Sequence, residues 1–230
     1  ANAPETKDNN FTWKDYQDRN NNELLAVFGN FVNRTLVLTH KYFEGKVPAL
    51  TNLNEKDNAA IEEMNQYPDK IAHLLDTYKF REALSELMNL ARLGNRYLTE
   101  NEPWKQFKTD PERVKTVLAV SLQIVAKLAI LSEPFLPFSA KKLQAMIGLE
   151  VSGWNQAKET VLLNEESQIG EVELLFTKVE DETVAAQIKK LEDTKKQNEL
   201  NAWAPNPVKP NTNIDEFGKM DIRVGTVLEC

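Results

Sequence analysis

The chain has 230 residues, 41% hydrophobic and 27% charged, with a net charge of −7 and one cysteine, Cys230. That length allows one large domain or a medium one with appendages, and a core without staples. A single cysteine excludes an intrachain disulfide framework and a cysteine-based zinc site. No uninterrupted apolar run approaches the ~18 residues that span a bilayer, and the opening ANAPETKDNN has no signal-peptide pattern. A cytoplasmic protein with no membrane partner is expected. The charge is uneven: residues 150–200 hold 12 acidic and 6 basic side chains, against 23 and 22 elsewhere. Reading a few bases rests on stacking and edge hydrogen bonds, so this balance neither supports nor excludes an RNA partner. It does imply weak nonspecific attraction to a phosphate backbone.

Residues 1–19 are polar, with Phe11 and Trp13 among charges. Leu24, Phe28, Phe31, Thr35, Leu38 and Tyr42 then recur at alternating steps of four and three, one face of a long helix. Gly45 and Pro48 mark its end. Residues 54–67 read as a short acidic helix stopped near Tyr67 by Pro68, with Asp69 capping a further turn that carries Ile71, Leu74 and Leu75. From Phe80 the stripe Leu84, Leu87, Ala91, Gly94, Leu98 predicts another long helix, and small residues at 91 and 94 allow a close crossing.

After TENEPWKQFKTD, Asp110-Pro111-Glu112 is a strong helix start: carboxylate cap, proline at the first position, acid in the first turn. Val114 to Leu131 is the most apolar helix of the chain, ended by Pro134 and Pro137, and Ser139 is placed to cap a short helix running to Gly148. Residues 161–163 and 172–176 read as short strands or extended pieces. Residues 181–199 form a charged helix with a thin stripe of Val184, Ile188 and Leu191. Residues 201–213, with three prolines, read as a linker. The run IRVGTVLE near the end reads as a strand without a partner, the start of a second domain.

The eight glycines are scattered, with no phosphate-cradling loop among them. Neither His40 nor His73 has a second histidine or a cysteine at metal spacing, so both read as surface or packing residues. Glu62-Glu63 and Glu165-Glu166 are solvated pairs and not acid/base dyads. Two features invite a binding role. Trp104, between Pro103 and Lys105 after a helix end, either packs inward or offers a stacking platform for an unpaired base, with Pro103 stiffening the loop. Asn30 and Arg34, four apart, share a helix face. They are either ordinary exposed residues or an amide and a planar fork suited to base edges and phosphates.

FTWKDYQDRNNNELLAVFGNFVNRTLVLTHKYFEGKVP (residues 11–48) is very similar to methionyl-tRNA synthetases, in the segment that follows their catalytic domain, and GNFVNR (29–34) is specific to that family. LARLGNRYLTENEPWKQFK (90–108), LSEPFLPFSAKKL (131–143) and LLFTKVEDETVAAQIKKLED (174–193) resemble later parts of the same bundle. One departure is Leu174-Leu175, where the family usually has a proline before the phenylalanine. FGKMDIRVGTVLEC (217–230) resembles the first strand of the tRNA-binding OB-fold appended to many bacterial members.

The resemblance implies an all-α antiparallel bundle of the class I anticodon-binding type, with a short extended segment and a flexible tail. The divisions it suggests are 1–19 as connection from a catalytic domain, 20–200 as anticodon-binding domain, 201–213 as linker and 214–230 as a truncated OB-fold. It implies reading of the CAU anticodon of methionine-accepting tRNA by Asn30, Arg34 and Trp104, with Pro103 beside the tryptophan. No catalytic residue, cofactor or metal is expected in this chain. The ATP, Mg2+ and Zn2+ of the whole methionine-tRNA ligase belong to its catalytic domain, so the chain alone is expected to be inactive. It is expected to be a monomer, with the whole enzyme a homodimer through the C-terminal domain. The alternatives are the bundle of another class I synthetase, or a helical protein-interaction scaffold with no RNA role.

Overall fold

In a computed structural model the structure describes residues 5, 6, 8, 10–201, 211–221 and 223–226. They are helical, without strands, as an all-α bundle requires. Two compact units emerge, Ala1–Ile188 and Lys189–Cys230.

The first helix starts earlier than its apolar stripe. The Thr12 hydroxyl accepts the Asp15 N–H and caps α1 (Trp13–Arg19). The helix continues through a π-helical stretch, Asn20–Gly29, into α2 (Asn30–Phe43). The Asn30 N–H reaches back to the Leu25 carbonyl, the wider π spacing, and also to the Val27 carbonyl, which accepts the Asn95 amide as well at 2.7 Å. Asn21 pairs in both directions with the backbone of Val179, each bond 2.9 Å, and Asn20 donates to the Thr177 carbonyl. The α2 helix stops where Glu44 (φ 54°) and Gly45 (φ 79°) both turn left-handed. A Cβ on Gly45 would lie 2.6 Å from Gln168 and 2.7 Å from His40, so only glycine fits.

The acidic segment expected to break at Pro68 is one helix, α3 (Glu55–Asp76), with Pro68 inside it and buried. Tertiary burial overrides the local stop signal: Ala60, Met64, Tyr67 and Ile71 on either side of the proline are all in the core. The expected cap at Asp69 does not form. The N-terminus of α3 is a capping box, in which Asn54 and Asp57 each accept the other's backbone N–H.

The next helix, α4 (Phe80–Asn101), crosses α2 closely. A Cβ on Gly94 would sit 2.3 Å from the Phe31 ring. The short α5 (Pro103–Gln106) follows, then α6 (Pro111–Leu131), capped by Asp110 accepting the Arg113 N–H as expected. By length and composition α6 would cross a membrane, but 94% of its apolar stretch is buried among its neighbours, which makes it the core helix of the bundle. The next helix, α7 (Pro137–Ile147), begins at Pro137 itself: the residue before it, Leu136, makes no side-chain cap, and Ser139 lies inside the first turn.

The excursion after α7 contains a 3-10 turn, Trp154–Lys158, and no strand; the one bridge among the described residues joins Lys46 to Gln168. Residues 161–163 stay extended because Gln123 of α6 replaces a partner strand. Its carbonyl accepts the Leu162 and Leu163 N–H groups and its amide donates to the Leu163 carbonyl. One turn along α6, buried Lys127 donates to the carbonyls of Ala157 at 2.6 Å and Glu159 at 2.7 Å. Residues 172–176 are likewise unpaired by any strand. The charged helix is α8 (Asp181–Leu200), with Val184 its buried residue.

In the second unit α9 (Ile214–Phe217) is capped by Asn213, which accepts the Glu216 N–H. Residues 223–226 of the IRVGTVLE run form no strand. The rest of that run, 222 and 227–229, and most of the expected linker, 202–210, lie outside the described residues.

Candidate nucleic-acid interface

The residues singled out by spacing gather where the C-terminal end of α4 meets α2. Asn101 ends α4, and Glu102 turns left-handed at φ 39°. Pro103, at the first position of α5, is buried. Its fixed φ and the turn before it send Trp104 outward. Trp104 is 38% exposed, and the Arg34 guanidinium carbon lies over its indole, 4.7 Å from the ring centre.

A second contact clamps the same two helices together. Phe107, just past α5, stacks on Tyr42 of α2 with ring centres 4.0 Å apart and planes 14° from parallel, and meets Phe43 edge-on. The backbone of α5 is therefore held at both ends, by buried Pro103 and by Phe107.

Asn30 lies one turn before Arg34 on the same face and is exposed. It borders a cavity of about 410 Å³ between the π-helical stretch and the 174–176 segment, walled by Leu25, Ala26, Asn33 and Phe176. The structure thus brings Arg34 and Trp104 into contact, buries Pro103 at the start of the same short helix, and puts Asn30 at the mouth of a neighbouring groove. Neither histidine joins them. His40 is a packing residue, its Nε2 2.9 Å from the Gly170 carbonyl, and His73 is exposed on α3.

Sequence patterns did not reveal the support beneath this site. Asp57 of α3 has a fully buried side chain and receives four hydrogen bonds. Its Oδ2 accepts the Asn54 N–H and Arg113 Nη1; its Oδ1 accepts Arg113 Nη2 at 2.7 Å and the Tyr97 hydroxyl at 2.6 Å. Burial would raise the Asp57 carboxyl, but Arg113, Tyr97 and the Asn54 amide outweigh it and hold the group below the usual carboxylate range. Burial and the Asp57 carboxylate push the Tyr97 hydroxyl far above its ordinary value. Arg113 Nη2 also donates to Asn101 Oδ1 at 2.7 Å. The capping box around Asp57 has a local signature. Its pairing with Arg113 joins residues 56 apart in sequence and has none.

The site is thus a helical scaffold that presents a partly exposed tryptophan under a guanidinium. The same fold occurs in the crystal structure of the free state of Mycobacterium tuberculosis methionyl-tRNA synthetase, with a TM-score of 0.70 at 22% identity over 74% of this chain and 35% of that one. Residues 47–196 match the family described as the anticodon binding domain of methionyl tRNA ligase, and residues 1–36 match class I (M) tRNA synthetases. The methionine–tRNA ligase of Phocaeicola vulgatus is 57% identical over 230 residues, and that of Cytophaga hutchinsonii 55% identical over 228. The match covers 100% and 99% of this chain, and the chain spans about a third of each relative, 34% and 33%. The chain belongs to the methionyl-tRNA ligase family and carries its anticodon-binding domain.

Proposed function

We propose that this chain reads the CAU anticodon of methionine-accepting tRNA for an ATP-dependent methionine–tRNA ligase. The observation that carries the reading is the Arg34–Trp104 pair: a tryptophan 38% exposed to solvent, on a short helix that begins at buried Pro103, with a cation over its ring. An unpaired base that stacks on an exposed indole gains roughly 1–3 kcal/mol, and Trp104 is placed to offer that surface. Arg34 is positioned to add a planar fork to the same base or to its phosphate, and Asn30 offers donor and acceptor groups to a base at the groove.

The divisions we propose are a connection from the catalytic domain over 1–19, the reading domain over 20–200, a linker over 201–213 and the opening of a tRNA-binding OB-fold over 214–230. The protein would work in the cytoplasm, beside its own catalytic domain, with the whole enzyme a homodimer and this chain a monomer. ATP, Mg2+ and Zn2+ are assigned to the catalytic domain. Among the described residues no group of three or more His, Cys, Asp or Glu side chains is arranged to hold a metal ion.

The test is binding of RNA stem-loops that differ only in the anticodon, read by tryptophan fluorescence and anisotropy. A CAU loop is expected to bind more tightly than a loop with a changed first base, and to quench emission. Equal affinity for both, with no quenching, would overturn the reading and favour a protein-interaction scaffold.

A further inference from the structure

The buried polar cluster around Asp57 joins the start of α3, the end of α4 and the start of α6, and one of its branches leads to the reading head. Arg113 divides its fork: Nη1 and Nη2 both serve Asp57, and Nη2 also donates to Asn101. The Asn101 amide in turn donates to the Tyr97 carbonyl at 2.8 Å, so the side chain of the last residue of α4 is held from two sides. From Asn101 only Glu102 and Pro103 intervene before Trp104. Glu102 occupies a left-handed conformation and Pro103 has a ring-fixed φ. The Glu102 carbonyl then accepts the Lys105 N–H at 2.9 Å, so α5 is built directly on this turn. With so few soft backbone dihedrals between them, the direction of the chain at Asn101 sets where the Trp104 backbone emerges and so where its ring is carried.

We infer that Arg113, acting through Asn101, is a positioning residue for base reading: it sets the exit of α4 and thereby the plane in which Trp104 presents its ring. The effect on RNA rests on the anticodon-reading role proposed above; the effect on the ring does not. Arg113 touches no base. Its planar fork is what the task needs, because a carboxylate on α3 and an amide on α4 must be held by one group in fixed relation. A lysine keeps the charge beside Asp57 but loses the second branch.

The experiment uses the full chain labelled with 5-fluorotryptophan, with the Trp104 fluorine resonance identified by its loss in Trp104→Phe. In Asn101→Ala the Arg113–Asp57 pair remains while the link to the turn is cut. The Trp104 resonance is expected to move or broaden without RNA, and CAU stem-loop affinity to fall about five- to tenfold, a fraction of the loss expected for removing the ring. Asn101→Asp still offers Arg113 an acceptor but loses the donor to the Tyr97 carbonyl, so it should return both only part of the way towards wild type. Arg113→Lys should reproduce the alanine result, and it carries the test if Asn101→Ala does not fold. A Trp104 resonance unchanged in both Asn101→Ala and Arg113→Lys, with only the melting temperature lowered, would show that the cluster merely stabilises the bundle and would overturn the inference. If the resonance moves but Trp104→Ala leaves RNA affinity intact, the positioning stands and the anticodon reading falls.

Discussion

The guanidinium of Arg34 lies 4.7 Å from the centre of the Trp104 indole, pairing the first long helix with the short helix that follows α4. An exposed contact of this kind is worth about 0.5–1 kcal/mol, too little to hold α5 in place. The Tyr42–Phe107 stack and the buried Pro103 do that. Arg34 is therefore free to serve a ligand, and removing either member of the pair should change binding more than folding.

Trp104→Ala should weaken CAU stem-loop binding by about one to two orders of magnitude, since stacking contributes roughly 1–3 kcal/mol per base. Its melting temperature should stay close to that of the parent chain. A core tryptophan would behave in the opposite way, costing about 3–5 kcal/mol of stability. Anisotropy titration with a parallel melting curve distinguishes the two.

Arg34→Lys keeps a positive charge and loses the plane. If Arg34 reads a base edge, discrimination between CAU and a changed anticodon should shrink. A merely phosphate-bound Arg34 predicts nearly equal affinity for both loops in variant and parent alike. Competition binding of the two loops measures the ratio directly.

Removing the partner of Asp57 should turn a pH-insensitive site into a pH-sensitive one. In the parent the folded carboxyl lies below its ordinary value. Its stabilising contribution is therefore complete above the unfolded pKa of about 3.9 and is lost only as pH falls through the lower folded value. Arg113→Met leaves a buried, unpaired carboxylate, at a cost of about 3–5 kcal/mol near neutral pH. Burial then dominates and raises that pKa, so the variant should gain stability as pH falls from neutral towards 5 while the parent does not. Melting temperatures at the two pH values, with Asp57→Asn/Arg113→Met as the pH-insensitive control, check the sign.

Gly94→Ala would usually stabilise a helix interior by about 1 kcal/mol. Here the added carbon meets the Phe31 ring at 2.3 Å. Overpacking of this kind costs about 1–3 kcal/mol, so the net change should be destabilising. Adding Phe31→Leu should recover part of the loss. Chemical denaturation of the two single variants and the double variant gives the coupling.

Burial pushes the ammonium of Lys127 down to about 8, with nearby Glu159 opposing the shift. Between that value and the ordinary value of about 10.4 the unfolded chain binds the extra proton, so the contribution of this group to stability should rise with pH across that window. Below it the burial penalty is constant. Melting temperature followed from pH 7.5 to 10 should improve for the parent relative to Lys127→Met. Hydrogen exchange in that variant should quicken over residues 154–163, where Lys127 holds the Ala157 and Glu159 carbonyls.

The sequence by itself determined what repeats locally. The stripe from Leu24 to Tyr42, the close-crossing Gly94 and the Asp110-Pro111 start each act within a turn or two of helix, and each appears in the structure. Asn30, Arg34, Pro103 and Trp104 were legible as candidates because exposed amides, forks and aromatics stand out against an apolar stripe and because GNFVNR is so specific. Tertiary structure alone decided the rest. Burial on both sides kept Pro68 inside one helix, and Gln123 took the place of a strand for residues 161–163. The amides of Asn21 and Asn95 meet backbone groups far along the chain, on a π-helical stretch that no local pattern announces. The stacking of Arg34 on Trp104 and the fork of Arg113 between Asp57 and Asn101 belong to the same group. Periodicity records which face of a helix is apolar; it carries no information about which buried polar group, dozens of residues away, will meet which partner once the apolar faces have closed.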